Sequence, residues 1–284
     1  MKFSIITVVR NAEKTIRATI DSVINQIYSD FEYLIIDGKS TDGTVNLLRY
    51  YSSLDDRIRY ISEPDHGIYD AMNKGIRLSK GEWCYFLGAD DCLYNDRVLS
   101  FVASFIANTP SANVCYGDVI FTSSNLRYDG EYSLSKFCNH AICHQAIFYK
   151  REIFDRYGMY DLKYKINADH VFNIRVFTTM FEQVIYFPFV VCLYNNETGV
   201  SSNVIDIELR NDNFQIRYDA FRDLLPKISL ARIFFSSFIY YYKSHSWKDV
   251  RKYLTFLKKD IGIGCLVYYF FVILKMKLCR TEEI

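Results

Sequence analysis

Three aspartates in this chain follow apolar runs: Asp37 closes EYLIID, and Asp90 and Asp91 close WCYFLGADD. A carboxylate at the carboxyl end of a strand can accept hydrogen bonds from the base or sugar of a nucleoside. Asp37 could equally cap the next helix through the turn IDGKSTDGT, a task open to Asp42 as well. Asp90 and Asp91, being adjacent, would repel unless a cation or hydrogen bonds offset their charge. A hard divalent ion, Mg2+ or Mn2+, is commonly held by one or two carboxylates, with substrate phosphates filling its other positions. That reading is favoured over a solvated acidic turn leading into a helix at 95–108. Soft ligands gather at Cys138, His140, Cys143 and His144, but C-x-H-x2-C-H matches no usual structural zinc spacing and no second pair follows. Zinc is therefore not expected, and His66, His170 and His245 read as surface or packing residues.

The elements that must position these residues follow from apolar patterning. Residues 3–9 form a short apolar run suited to a strand buried on both faces, and 13–26 place Ile16, Ile20, Val23 and Ile24 at helical spacing. Strands over 32–37, 57–62 and 82–87 alternate with helices over 40–54 and 68–79. Such alternation predicts a mostly parallel sheet with helices on its faces. Ligands then bind beyond the carboxyl ends of the strands, where Asp37, Asp90 and Asp91 stand. From about residue 113 the pattern changes to strands over 114–121 and 146–149 and helices over 151–157 and 168–180.

The 284 residues are 50% hydrophobic, enough for a full core. A net charge of +1 gives no general case for nucleic acid. The balance is uneven: residues 226–284 hold 11 basic and four acidic side chains, a net +7, leaving −6 for the remainder. Eight cysteines without CxxC spacing, and an N-terminus that reads directly as a strand, predict reduced thiols in a cytoplasmic protein. No GxGxxG follows the first strand and no GxxxxGK[ST] occurs, which disfavours dinucleotide enzymes and P-loop NTPases.

SIITVVRNA, LIIDGKSTDGT, EPDHGIYDAMNKGI and GEWCYFLGADD occur in that order over residues 3–100. Together they resemble the inverting family 2 glycosyltransferases of bacterial polysaccharide and lipopolysaccharide synthesis. LIIDGKSTDGT resembles that family's DDGSTDGT segment, and GADD its DXD motif. CHQAIFYKREIFDRYG, INADHVFNIR and ETGVSS carry the resemblance to about residue 202. The resemblance implies a GT-A fold, an α/β architecture with a mostly parallel Rossmann-like sheet flanked by helices, over 1–202. Residues 1–112 would be the nucleotide-sugar donor half, 113–202 the acceptor and catalytic-base half, and 203–284 a helical C-terminal extension.

The same resemblance implies roles. Asp37 would hydrogen-bond a uracil-like base, with Val8 and Arg10 lining the nucleoside pocket. Arg10 stands where many relatives have an aromatic residue, and its planar guanidinium could stack on the base instead. Gly67 and Asn73 would face the donor, and His144 would lie beside its diphosphate or the acceptor. Asp90 matches the last carboxylate of the DXD and would be the main metal ligand, with Asp91 next to it. Gly88 occupies the first DXD position, so the ion would depend on these two acids and the donor diphosphate, and would bind weakly without nucleotide. Asp169 matches the catalytic base, which removes the acceptor hydroxyl's proton during a single displacement with inversion. Read alone, Asp169 is an acid at a helix N-terminus, where the dipole favours it. The expected partners are a nucleoside diphosphate sugar, in particular a UDP-sugar, and a glycan or lipid-linked acceptor, without nucleic acid.

Two other functions compete with this one. A sugar-nucleotide pyrophosphorylase needs a glycine-rich basic loop after the first strand, and VVRNAEKT matches it poorly. A non-catalytic nucleotide-sugar-binding protein would bind donor but be indifferent to Asp169→Asn. Near the C-terminus, 261–274 is a run of 14 uncharged residues flanked by Lys258, Lys259, Lys275, Lys277 and Arg280. It is shorter than the roughly 18 residues that span a bilayer. With the aromatic block at 230–242, it fits helices lying peripherally on an anionic membrane face, or a buried helix pair or dimer contact.

Overall fold

The apolar runs at the start of the chain become four parallel strands: β1 (Phe3–Val9), β2 (Phe31–Asp37), β3 (Ile58–Ser62) and β4 (Trp83–Phe86), ordered β3-β2-β1-β4. Every residue of β2 is buried, the burial expected of a central parallel strand covered on both faces. Helices α1 (Ile16–Ile24), α2 (Thr44–Leu54) and α3 (Ile68–Leu78) make the crossovers. The chain steps outward from β1 to β3 and then returns to β4 on the other side of β1. This reversal opens a crevice at the carboxyl ends of β1 and β4, the usual ligand position in an open α/β sheet.

The first helical turns expected at 40–43 form a loop instead. Asp42 accepts hydrogen bonds from the Thr44 amide (3.0 Å) and the Glu13 amide (3.1 Å), while Glu13 accepts from the Gly43 amide (3.0 Å). Asn11 accepts from the Thr41 amide (2.8 Å), and Thr44 Oγ1 from the Ala12 amide (2.9 Å). The loops after β1 and β2 thus lock together, with Asn11 and Lys39 held at φ 53° and 58°. Left-handed backbone at non-glycine residues costs energy and is typical of loops fixed for a task.

Beyond β4 the sheet becomes mixed, with antiparallel pairs joining the parallel ones. β5 (Cys92–Leu93), β6 (Val114–Phe121), β7 (Arg127–Tyr128), β8 (Ile147–Lys150) and β9 (Val184–Tyr194) complete the order β3-β2-β1-β4-β8-β6-β9-β5, with β7 on β6. β8 runs antiparallel to β4 and β6, whereas β9 is parallel to β6. Pro188 fits within β9 because the β6–β9 register shifts around Asp118, where proline need not donate to the ladder. The remaining helices are α4 (Val98–Ala107), α5 (Leu134–Asn139), α6 (Glu152–Tyr157), α7 (Ala168–Thr179) and α8 (Ile207–Phe221).

The computed structural model describes residues 1–197, 206–227, 229–230, 250–251, 254–255 and 258. The chain forms two compact units, residues 1–133 with 140–211 and residues 134–139 with 212–284. The first unit therefore runs past the expected boundary at 202, and α5 groups with the second. Within the second unit, Arg217 donates to the Cys138 carbonyl (2.6 Å) and the Phe137 and Phe221 rings lie 6.0 Å apart. The blocks over 231–242 and 261–274, His245, and residues 198–202 of the ETGVSS segment lie outside the described residues. Among the described residues, no helix is long and apolar enough to cross a membrane.

Candidate active site

Asp37 ends β2 fully buried, and its carboxylate is surrounded by donors. Ser62 Oγ (2.5 Å) and the Ser40 amide (3.0 Å) donate to Oδ2, and Ser40 Oγ donates to Oδ1. Ser40 Oγ in turn accepts from the Asn11 amide (2.7 Å), so the interlocked loops aim this carboxylate. Val8 is half-buried and Arg10 exposed beside it. A Cβ at Gly38 would overlap Asp65 Oδ2 and lie 3.5 Å from Arg10 Cδ, so Arg10 and Asp65 flank the same point next to Asp37. Gly67 caps α3 at φ 116°, and a Cβ placed there would meet nothing within 4 Å among the described residues.

At the end of β4, Asp91 is 1% exposed. Its Oδ1 accepts the Asn195 amide (2.7 Å), and Asn195 Nδ2 reaches Asp90 Oδ2 (3.2 Å). Asp91 Oδ2 meets no donor at hydrogen-bonding geometry among the described residues. Burial, reinforced by the Asp90 charge and only partly opposed by the Asn195 amide, the Gln145 side chain and the Gly88 backbone, leaves the Asp91 carboxyl pushed up to about 7. A Cβ at Gly88 would overlap Asp91 Oδ2 and sit 3.3 Å from Asp90 Oδ1. Gly88 thus makes room for the Asp91 carboxylate.

Asp169 lies in the first turn of α7, half-buried, and its Oδ1 accepts from the hydroxyl of Tyr69 on α3. The thiol of Cys143, raised chiefly by burial, feels the charges of both Asp91 and Asp169. The loop carrying Cys143, His144 and Gln145 therefore lies near both Asp91 and Asp169. Hard carboxylate oxygens at Asp90 and Asp91 suit a divalent ion such as Mg2+ or Mn2+, and the unpartnered Oδ2 gives such an ion a function. No group of three His, Cys, Asp or Glu able to hold a metal occurs among the described residues, so donor phosphates or water would have to complete the coordination.

The profile of "Glycosyl transferase family 2" matches residues 4–180. The chain belongs to this family. A "PGL/p-HBAD biosynthesis glycosyltransferase" of Mycobacterium bovis (strain BCG / Pasteur 1173P2) is 40% identical over 208 residues, covering 72% of this chain and 81% of that protein. The protein of the same name from Mycobacterium tuberculosis (strain ATCC 25177 / H37Ra) matches to the same extent. Among solved structures, S. aureus TarS 1-349 in complex with UDP-GlcNAc superposes with a TM-score of 0.67 at 17% identity, covering 82% of this chain and 70% of that one. The mannosyltransferase PcManGT from Pyrobaculum calidifontis, in complex with GDP-Man and Mn2+, gives 0.58 at 15%, covering 91% and 81%. At these identities the likeness is one of fold, the GT-A fold.

In this family 2 glycosyltransferase, two residues expected at the donor turn inward. Asn73 is 5% exposed, donates to the Tyr160 carbonyl (2.9 Å) and accepts the Tyr160 amide (3.0 Å). Its amide group is thereby committed to the protein rather than to a donor. His144 is 9% exposed, stacks on Phe86 with centroids 5.0 Å apart, and pairs through Nε2 with the Tyr160 hydroxyl (2.9 Å). Burial lowers its pKa, and the Asp169 charge only partly opposes that. A neutral imidazole packed among aromatic rings braces the loop and supplies no positive charge for a diphosphate.

Asn195, Tyr69, Ser62 and Asp65 join the site although sequence reasoning singled out none of them. Asn195 follows β9, whose apolar run IYFPFVVCLY carries a strand signal broken by Pro188. Tyr69 and Asp65 sit within the motif EPDHGIYDA, but only folding shows what they touch.

Proposed function

We propose that this glycosyltransferase moves a sugar from a UDP-linked donor to a glycan acceptor with inversion, with Asp169 as general base and a divalent ion at Asp90 and Asp91. The observation that carries this reading is the buried, unpartnered Asp91 Oδ2 beside Asp90 at the end of β4, next to the crevice that Asp37 borders. Asp37 would accept a hydrogen bond from the base through a lone pair left over from Ser40 and Ser62, with Val8, Arg10 and Gly67 around the donor. The ion, when bound, would neutralise the departing diphosphate.

The acceptor oxygen would form its bond to the anomeric carbon as the bond to the diphosphate breaks, and the acceptor proton would pass to Asp169. One carboxylate and one displacement invert the anomeric centre. Support for a metal and a nucleotide sugar also comes from fold neighbours, one solved with UDP-GlcNAc and another with GDP-Man and Mn2+. The acceptor is proposed to be a lipid-linked unit of a bacterial surface polysaccharide, met at the cytoplasmic membrane face through the basic, aromatic C-terminal region.

Calorimetric titration of UDP and of GDP, with and without Mn2+, tests the donor site. Manganese-dependent UDP binding that is lost in Asp90→Ala supports the reading; binding of GDP alone replaces the base, and binding of neither overturns it. Asp169→Asn should keep donor affinity and lose about 10²–10⁴-fold in turnover, the range for a missing general base. Unchanged turnover would remove Asp169 from the chemistry.

A further inference from the structure

The proposed transfer step does not use the hydroxyl of Tyr69, yet that hydroxyl lies against the carboxylate on which the step depends. Tyr69 is the second residue of α3 and 6% exposed. Its oxygen reaches both Asp169 Oδ1 and the Ile166 carbonyl, two acceptors for the single proton of a phenol. The surroundings hold it there. The Ile166 amide donates to Asp206 Oδ2 (3.0 Å), and Asp206 Oδ1 accepts the Leu209 amide (3.0 Å), which ties down the backbone at Ile166, whose carbonyl the hydroxyl also meets. On the other side the ring packs against Tyr160 with centroids 5.4 Å apart, and Tyr160 is gripped by Asn73 and His144. Asp169 Oδ2 makes no hydrogen bond among the described residues.

We infer that Tyr69 is a positioning residue that holds Asp169 by Oδ1, so that Oδ2 is the oxygen presented to the acceptor hydroxyl and the one that receives its proton. This inference rests on Asp169 being the base. Burial, and next the neighbouring Asp169 charge, raise the Tyr69 phenol well above its ordinary value, so it remains a neutral donor throughout the working range. The contact joins residues 100 apart in the chain, one on α3 and the other on α7. A base tied in this way loses little orientational freedom as the acceptor arrives. The two inward-turned residues, Asn73 and His144, thereby gain a purpose: through Tyr160 they fix the ring against which Tyr69 packs.

The test is a double-mutant cycle of Tyr69→Phe and Asp169→Asn, read as single-turnover hydrolysis of UDP-GlcNAc, UDP-glucose and GDP-mannose by water in the presence of Mn2+. Calorimetric Kd for UDP is measured alongside. Tyr69→Phe should lower the hydrolysis rate about tenfold with the UDP Kd unchanged, and should add no further loss in the Asp169→Asn background. An equal loss in both backgrounds, or a loss that appears in the UDP Kd, overturns the positioning role while leaving the base intact. Unchanged hydrolysis in Asp169→Asn, or no hydrolysis of any donor by the wild type, overturns the base assignment and this inference with it. If Tyr69→Phe melts far below the wild type, 3-fluorotyrosine at position 69 takes its place, since it keeps the ring and hydroxyl. Its altered donor strength must then change the rate in the wild-type background and not in Asp169→Asn.

Discussion

Asp37 and Asp91 leave the same sheet two strands apart and are equally buried, yet the protein treats their charges in opposite ways. Asp37 receives three hydrogen bonds from Ser40 and Ser62. Asp91 receives the Asn195 amide on one oxygen, and its other oxygen meets no donor at hydrogen-bonding geometry among the described residues, with Asp90 alongside. A buried carboxylate supplied with donors is stable as an anion, whereas one without them is pushed towards its protonated form. The protein's own donors already stabilise the charge of the first carboxylate, and the second is the one at which a cation would relieve an uncompensated charge.

The largest expected contrast comes from making both acids amides. Asp37→Asn would set an NH2 group against hydroxyl and amide donors, and should destabilise the protein by about 1–3 kcal/mol. Asp91→Asn can keep its oxygen on the Asn195 amide and turn its NH2 towards Asp90, so the metal-free protein should melt higher than wild type. Thermal melts in chelator decide between these signs; a fall in both variants would erase the contrast. Gly88→Asp, which adds a third carboxylate beside Asp90 and Asp91, comes next. Its Cβ overlaps Asp91 Oδ2, so the variant should lose roughly 1–3 kcal/mol of stability and bind Mn2+ with UDP more weakly. Tighter binding by calorimetry would show that the Asp91 carboxylate does not stand in for an acid at position 88.

The smallest effect concerns the loop near both Asp91 and Asp169. His144 is held neutral by burial, so its folded pKa lies below the ordinary 6.5. As pH falls through about 6.5 the unfolded chain takes up a proton that the folded protein resists, and stability drops below that pH. The melting temperature of His144→Phe should therefore decline less than that of wild type between about pH 7.5 and about pH 5.5, one unit either side of the ordinary histidine value. Parallel curves would mean that the imidazole is not shielded by its packing against Phe86 and Tyr160.

Much of the first half was legible in the sequence, because parallel strands buried on both faces must be continuous apolar runs and their ends must be polar. Residues 3–9 and 31–37 show it, and the aspartate at the end of the second run marked one border of the crevice. The second half was less legible. β9 carries Pro188 and pairs out of register with β6, and β5 and β7 are two residues each, too short for any periodicity. Without β9 in place, Asn195 beyond it carries no sign of its role.

By itself the sequence determined the family, the order of the strands and helices in the first half of the sheet, and the acidic residue types placed beyond its strand ends, since all of these depend on local patterning and short motifs. Only tertiary structure decided which way the side chains face and which carboxylate is satisfied. Asn73 and His144 stand in the motifs but turn inward to Tyr160, Tyr69 meets Asp169 from 100 residues away, and Asp91 keeps an oxygen without a donor. Hydrogen bonding and burial are set by partners distant in the chain, and no local pattern encodes the direction of a side chain whose partner arrives only on folding.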